Sequence, residues 1–261
     1  MSKILSINQS TQESKKSSKY DDYLAYITTT AGLRPEVVEL LRQRHPLDYE
    51  DWQYAMSRSR NYKITPESIT EYLKTTRLPP IFHNAVHTDW PKKVWEKAYA
   101  AQSLFLCGKP GTGKTHLAAS ILMETFLQYN PKPYFNESRG QWSTTKLLAP
   151  LFVTIPRLLV KFRSTFKDEN LTEVELLNEY CQPRLTVFDD MGSEKISDWS
   201  LQMLYLIIDY RYTNLLPTIL TSNLTLEEIG TTISDRIASR IAGMCEIIAM
   251  KGDDRRIKRR P

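Results

Sequence analysis

The sequence has few cysteines, and none of its apolar runs is long and unbroken. Cys107, Cys181 and Cys245 are the only three cysteines, and no two of them form a C-x-x-C pair. That spacing excludes a disulfide framework or zinc site legible from sequence and leaves buried free thiols as the expectation. The longest apolar stretch, "LLAPLFVTIPRLLV" (147–160), is broken by two prolines and an arginine, so no segment has the character of a membrane span. The opening "MSKILSINQSTQESKKSSK" is too polar for a secretory leader. These absences point to a cytoplasmic protein.

The chain has 261 residues, 41% hydrophobic and 25% charged, the profile of a globular chain with room for one large domain and a small appendage. The net charge of +5 is unevenly placed: residues 1–19 carry +3 and residues 251–261 carry +4, which leaves the middle at −2. Basic ends are compatible with nucleic-acid contact, although short basic termini are commonly just solvated.

Residues 1–19, rich in Ser, Gln and Lys, read as a disordered tail. Residues 20–78 read as short helices: Pro35 opens "EVVELLRQRH", Asp48 caps "YEDWQYAMSR", and Thr65 caps the helix that starts at Pro66. "LPP" (78–80) then marks a boundary, after which the pattern changes. A helix is expected near Pro91, with Asp89 as its cap. Five apolar runs of strand length follow, at 103–107, 151–155, 185–189, 218–222 and 245–250, with helical segments between them. Alternation of this kind predicts a parallel sheet covered on both faces, which binds ligands beyond the carboxyl ends of its strands.

Three strand ends carry chemistry. The first is followed by "GKPGTGKT": Gly108, Lys109, Pro110, Gly111, Thr112, Gly113, Lys114 and Thr115, then His116 at the start of a helix. This matches the phosphate-loop pattern G-x-x-x-x-G-K-[ST]. Its glycines bring backbone N–H groups close to phosphate, its lysine reaches the β- and γ-phosphates, and its threonine hydroxyl ligates Mg²⁺. The third strand ends in Asp189 and Asp190, placed to hold Mg²⁺ and to polarise a water, respectively. The fourth ends in "TSN", where the Asn223 amide can orient a water near the γ-phosphate. In "ISDRIASRIAG" (233–243), Arg236 and Arg240 stand one helical turn apart, while Ile233, Ile237 and Ile241 share another face.

The blocks "LFLCGKPGTGKTHLA", "LFVTIPRLL", "TVFDDMGSEKISDWSLQMLYLIIDYRY", "LPTILTSNLT" and "RIASRIAG", within roughly residues 79–258, resemble the AAA+ ATPases and, among them, the DnaC/IstB-like group. That group contains bacterial and phage helicase loaders and transposition helper ATPases. The resemblance implies an α/β P-loop NTPase fold with a five-stranded parallel sheet in the order 5-1-4-3-2, without a C-terminal helical lid. Alongside the reading above, it implies a small N-terminal helical domain at 20–78 and an ATPase domain at 79–261. It implies Mg²⁺-dependent ATP hydrolysis with Arg240 as an arginine finger that reaches a neighbouring subunit's ATP, and hence an ATP-dependent oligomer. Arg236 is then structural, and Arg255 or Arg256 is a candidate to replace the lid's sensing arginine.

Two helices expected at 156–166 and 171–181 resemble the element with which initiators and loaders touch single-stranded DNA. Lys161, Arg163, Phe166 and Lys167 offer phosphate contacts and a stacking ring there, and a solvated basic face is an equal alternative. The segment 130–150 is long for a helix-to-strand connection and reads either as a partner-binding loop at the edge opposite the ATP or as a mobile insertion. Functionally, the resemblance implies a loader that delivers a replicative helicase to DNA, with 20–78 as the helicase-gripping part. A transposition helper that binds duplex DNA and recruits a transposase remains as an alternative. A P-loop small-molecule kinase would need an acceptor pocket and suits the Asp189–Asp190 pair and Arg240 less well.

Overall fold

The computed structural model describes residue 34 and residues 73–128, 134–136, 141–143, 150–165, 172–193 and 196–255. The expected tail at 1–19 and nearly all of the expected helical domain at 20–78 lie outside the described residues. The chain divides into two units: residues 75–129 with 145–261, and residues 1–74 with 130–144.

In chain order the described elements are α1 (Lys92–Ala100), β1 (Leu104–Cys107), α2 (Lys114–Gln128), β2 (Tyr134–Asn136), β3 (Gln141–Ser143), β4 (Leu151–Thr154), α3 (Ile155–Ser164), α4 (Glu173–Cys181), β5 (Thr186–Met191), α5 (Asp198–Thr213), β6 (Thr218–Ser222), α6 (Leu226–Thr232), α7 (Asp235–Met244) and β7 (Glu246–Ala249). In the smaller unit, β2 and β3 pair antiparallel, with Phe135 opposite Trp142. This ribbon inside the long 130–150 segment has no periodic signature in the sequence, since neither strand exceeds three residues.

In the larger unit the five remaining strands form one parallel sheet in the order β4-β5-β6-β1-β7. Counting only these strands gives 2-3-4-1-5, the expected order seen from the opposite edge. The central runs are apolar without alternation because both faces are covered, and every residue of β1 and β6 is buried; the expectation of full coverage fails at the edge strand β7, which is largely exposed. Leu158, Leu159 and Phe162 of α3, Leu176 and Tyr180 of α4, and Leu204, Ile207 and Ile208 of α5 pack into one core with Phe105, Phe188 and Leu220 of the sheet. The helix starts are locally encoded. The Thr154 side chain caps α3, with a proline in its first turn, and Thr172 and Glu175 form a reciprocal capping box on α4.

Arg211 is fully buried within this frame. Its Nε donates to Thr218 Oγ1 at 2.9 Å, and its terminal nitrogens donate to the carbonyls of Tyr180, Cys181, Pro183 and Pro217. One side chain thus ties α4 and α5 to the entry of β6. Burial pushes its pKa down to about 10, still high enough to keep it charged at neutral pH.

Two local expectations need correction. Ile233 does not share the α7 face: it closes α6, and Ser234 caps α7, so the buried apolar stripe is Ile237, Ala238 and Ile241. Asp89 does not cap α1, whose capping position is Pro91. Its carboxylate instead accepts from the Val86 N–H at 3.1 Å and contacts the His116 ring at 2.8 Å.

Candidate nucleotide site

β5, β6 and β1 are neighbours in the sheet, so the three strand ends singled out in the sequence lie side by side. The loop after β1 leads from Gly108 into α2, which begins at Lys114. Gly108 has φ +138, and a Cβ there would meet the Met250 carbonyl oxygen at 2.3 Å, so only glycine suits this close approach. Gly111 has φ +80, and a Cβ there would overlap the Asp254 carboxyl group at 2.1 Å. Lys114 is buried, and its ammonium donates to the carbonyls of Gly108 (2.7 Å) and Lys109 (3.0 Å) and to Asn223 Oδ1 (2.8 Å). The lysine expected to reach phosphate and the amide expected to face the γ-phosphate are therefore in direct contact across two strand ends.

The two aspartates are set apart by their backbone. Asp189 is buried, and its Oδ1 accepts from Thr115 Oγ1 at 2.8 Å and from Thr221 Oγ1 at 2.7 Å. Burial raises its pKa and the two hydroxyl donors oppose that shift, while nearby Asp190 adds to it. Asp190 sits at a register shift between β5 and β6 with φ +62, a conformation costly for a residue bearing a Cβ. Its N–H donates to the same Thr221 hydroxyl at 3.0 Å. Thr221 therefore links the two residues, and the turn separates their side chains. Among the described residues the Asp190 carboxylate has no hydrogen-bond partner. Thr115 and Asp189 offer hard oxygens within 2.8 Å of each other, which suits Mg²⁺, a cation that takes few protein ligands and completes its shell with water and phosphate.

Arg240 lies on α7 with its side chain against α5. Its Nε donates to Asp209 Oδ1 at 2.6 Å and an Nη donates to Tyr205 Oη at 3.3 Å, and the guanidinium stands 5.3 Å from the centre of the Tyr212 ring. The hydrogen bond from Arg240 holds the Asp209 carboxyl below its usual range and in turn raises the arginine. Arg236 stacks 4.2 Å from the centre of the Tyr205 ring.

Against known proteins, residues 148–261 match the family described as IstB-like ATP binding protein. That stretch is similar to the IstB-like ATP-binding domain. The replicative helicase loader DnaC of Escherichia coli (strain K12) is 29% identical over 139 residues, 53% of this chain and 49% of that protein. The ATP-binding protein of insertion sequence IS5376 from Geobacillus stearothermophilus is 28% identical over 162 residues, 60% of this chain and 56% of that one. The chain thus spans about half the length of the curated relatives it matches. The crystal structure of DnaI superposes with a TM-score of 0.51 at 23% identity, over 67% of this chain and 95% of that one, a likeness of fold.

The remaining sequence-derived candidates around this site are placed as follows. Lys109 and Pro110 are exposed on the phosphate loop, and the Thr112 hydroxyl donates within the loop to Lys109 O at 2.9 Å. His116 is engaged by Asp89 and packs against the rings of Phe82 and Trp90. Arg255 bonds through its N–H to Gly111 O at 3.0 Å and stacks its guanidinium 4.3 Å from the centre of the Trp90 ring; Arg256 lies outside the described residues. Lys161 donates to both carboxylate oxygens of Glu179 at 2.8 and 2.9 Å, so this proposed DNA contact has an intramolecular partner. Arg163 is exposed, and Phe166 and Lys167 lie outside the described residues.

Sequence reasoning missed three participants. Thr221 was quoted as part of a strand end, with nothing to mark its hydroxyl as a bridge. Trp90 comes from the segment before β1, and its Nε1 donates to Ser120 Oγ at 3.1 Å, fixing the ring beside α2. Asp209 carried no motif of its own. Its place four residues after Tyr205 and three before Tyr212, on one helix face, was the available signal.

Proposed function

We propose that this protein hydrolyses ATP as a switch for self-assembly and that it delivers a replicative helicase to DNA. The observation that carries the hydrolytic part is the division of labour at the end of β5. Asp189 is tied to the Thr115 and Thr221 hydroxyls, while the Asp190 carboxylate stands without a partner among the described residues. A free carboxylate there can orient a water for in-line attack, and Asn223 on the neighbouring strand can hold that water or the γ-phosphate. Lys114 exchanges its loop carbonyls for phosphate oxygens when nucleotide enters. Mg²⁺ held by Thr115 and Asp189 would neutralise charge on the β- and γ-phosphates. Arg240 of one copy supplies positive charge to the ATP of the next, and Arg163, Phe166 and Lys167 meet single-stranded DNA. Residues 20–78 form the part that grips the helicase.

The loader reading is supported by likeness to the replicative helicase loader DnaC. A second reading, a transposition helper that recruits a transposase on duplex DNA, is supported by the IstB-like family match and the insertion-sequence relative. The test uses the full chain with ATP and Mg²⁺, immobilised and offered in separate runs the replicative helicase and a transposase of its own source, with ATP hydrolysis measured alongside. Helicase retention, with hydrolysis stimulated more by single-stranded than by duplex DNA, is the expected result. Retention of a transposase with duplex stimulation transfers the protein to the second reading. An absence of hydrolysis under all conditions contradicts both.

A further inference from the structure

We infer that Asp209 is a positioning residue for Arg240, holding the guanidinium so that its outer nitrogens face the γ-phosphate of a second copy's ATP. This inference rests on the reading of Arg240 as a finger acting between subunits.

A finger on a helix surface has a long, mobile side chain, and fixing it costs rotamer freedom. An arginine held beforehand avoids that cost at the transition state. The arrangement here achieves this with three residues of one α5 face. Tyr205, Asp209 and Tyr212 follow one another at intervals of four and three, the spacing that stacks side chains along a helix. Asp209 takes the Nε proton at 2.6 Å, the Tyr205 hydroxyl takes one Nη proton at 3.3 Å, and the Tyr212 ring lies 5.3 Å from the guanidinium carbon. Tyr205 is itself pinned by Arg236, 4.2 Å from its ring centre, and its hydroxyl also reaches Asp209 Oδ1 at 3.2 Å. Nε is the donor an extended finger needs least, because the two Nη groups form the outer end of the fork. Among the described residues nothing takes Nη1. About a third of each side chain in the Arg240–Asp209 pair remains exposed, so the held guanidinium is accessible to a second molecule. A buried structural pair would instead close both ends, as Arg211 does with its carbonyl partners.

The test compares full-length Asp209→Ala, Asp209→Asn, Arg240→Ala and Lys114→Ala, singly and in equimolar mixtures, for kcat, nucleotide affinity and circular dichroism. Asp209→Ala should lose about ten-fold in kcat with nucleotide affinity and helix content unchanged. Asp209→Asn keeps an acceptor for Nε and should fall in between. Mixed with Lys114→Ala, which lends an intact finger, Asp209→Ala should recover activity. Mixed with Arg240→Ala it should not, since neither partner then has a competent finger. Recovery in that last mixture, or a kcat for Asp209→Ala equal to or above that of the unmodified protein, overturns the inference while leaving the finger reading intact. Failure of Lys114→Ala and Arg240→Ala to complement each other overturns the finger reading and this inference with it.

Discussion

The Thr221 hydroxyl donates to Asp189 Oδ1 at 2.7 Å and accepts from the N–H of Asp190 at 3.0 Å, so one side chain on β6 holds two neighbouring acids on β5 in different settings. It anchors the Asp189 carboxylate beside Thr115, and it stabilises the left-handed turn at Asp190 that sends the next carboxylate elsewhere. Two adjacent acids in regular strand geometry would simply point to opposite faces of the sheet. The bulge and its threonine bridge replace that arrangement.

Thr221→Val removes that bridge at nearly constant volume. It should lower kcat for ATP about ten-fold and cost about 1–2 kcal/mol of stability through the unpaired Asp190 N–H. Steady-state hydrolysis and urea unfolding would check the two parts separately.

Arg211→Met should destabilise the fold by about 3–5 kcal/mol, because it leaves several buried carbonyls without a donor at once. Arg211→Lys should recover only part of the loss, since an ammonium cannot match the planar fork. Chemical denaturation of both variants gives the comparison, and an Arg211→Met protein of unchanged midpoint would show that these carbonyls find other donors.

Asp254 places a carboxyl group against Gly111 of the phosphate loop, where its negative charge would oppose an incoming polyphosphate. Asp254→Asn should tighten ATP binding by about three-fold to ten-fold at low ionic strength, with the gain shrinking as salt rises. Titration with a fluorescent ATP analogue at two salt concentrations measures this. Equal affinities for the two proteins would mean that the tail leaves the loop at no cost.

The thiols of Cys181 and Cys245 are pushed by burial up to about 11 and about 12. A raised thiol pKa keeps the unreactive protonated form across the neutral range. Alkylation of the native protein at pH 8 should therefore be slow at both positions, accelerate only toward those higher pH values, and become rapid on unfolding in urea. Mass spectrometry of timed samples resolves each site.

Much of the parallel-sheet fold was legible because its signals are local and repeated. The two central runs form short, fully buried strands, while the fifth run forms the largely exposed edge strand β7, and the phosphate-loop pattern sits between a strand and a helix in the sequence as in the structure. Lys114, Thr115, Asp189 and Asn223 were each identified from strand-end chemistry, and the sheet order brings them within hydrogen-bond distance. What was not legible depends on pairing across elements. The β2–β3 ribbon has strands too short for a periodic pattern. Ile233 satisfied the helical period but falls where one helix stops and the next is capped. Asp209 acquires its significance only when α5 and α7 pack together, and Lys161 acquires its Glu179 partner only when α3 and α4 do.

A site for ATP hydrolysis completed by a second copy of the chain is tested most directly by ATPase activity per subunit as a function of protein concentration. Specific activity should rise steeply as copies associate and then level off. Measurable hydrolysis whose rate per subunit is the same at every concentration, with the protein monomeric throughout, would contradict it.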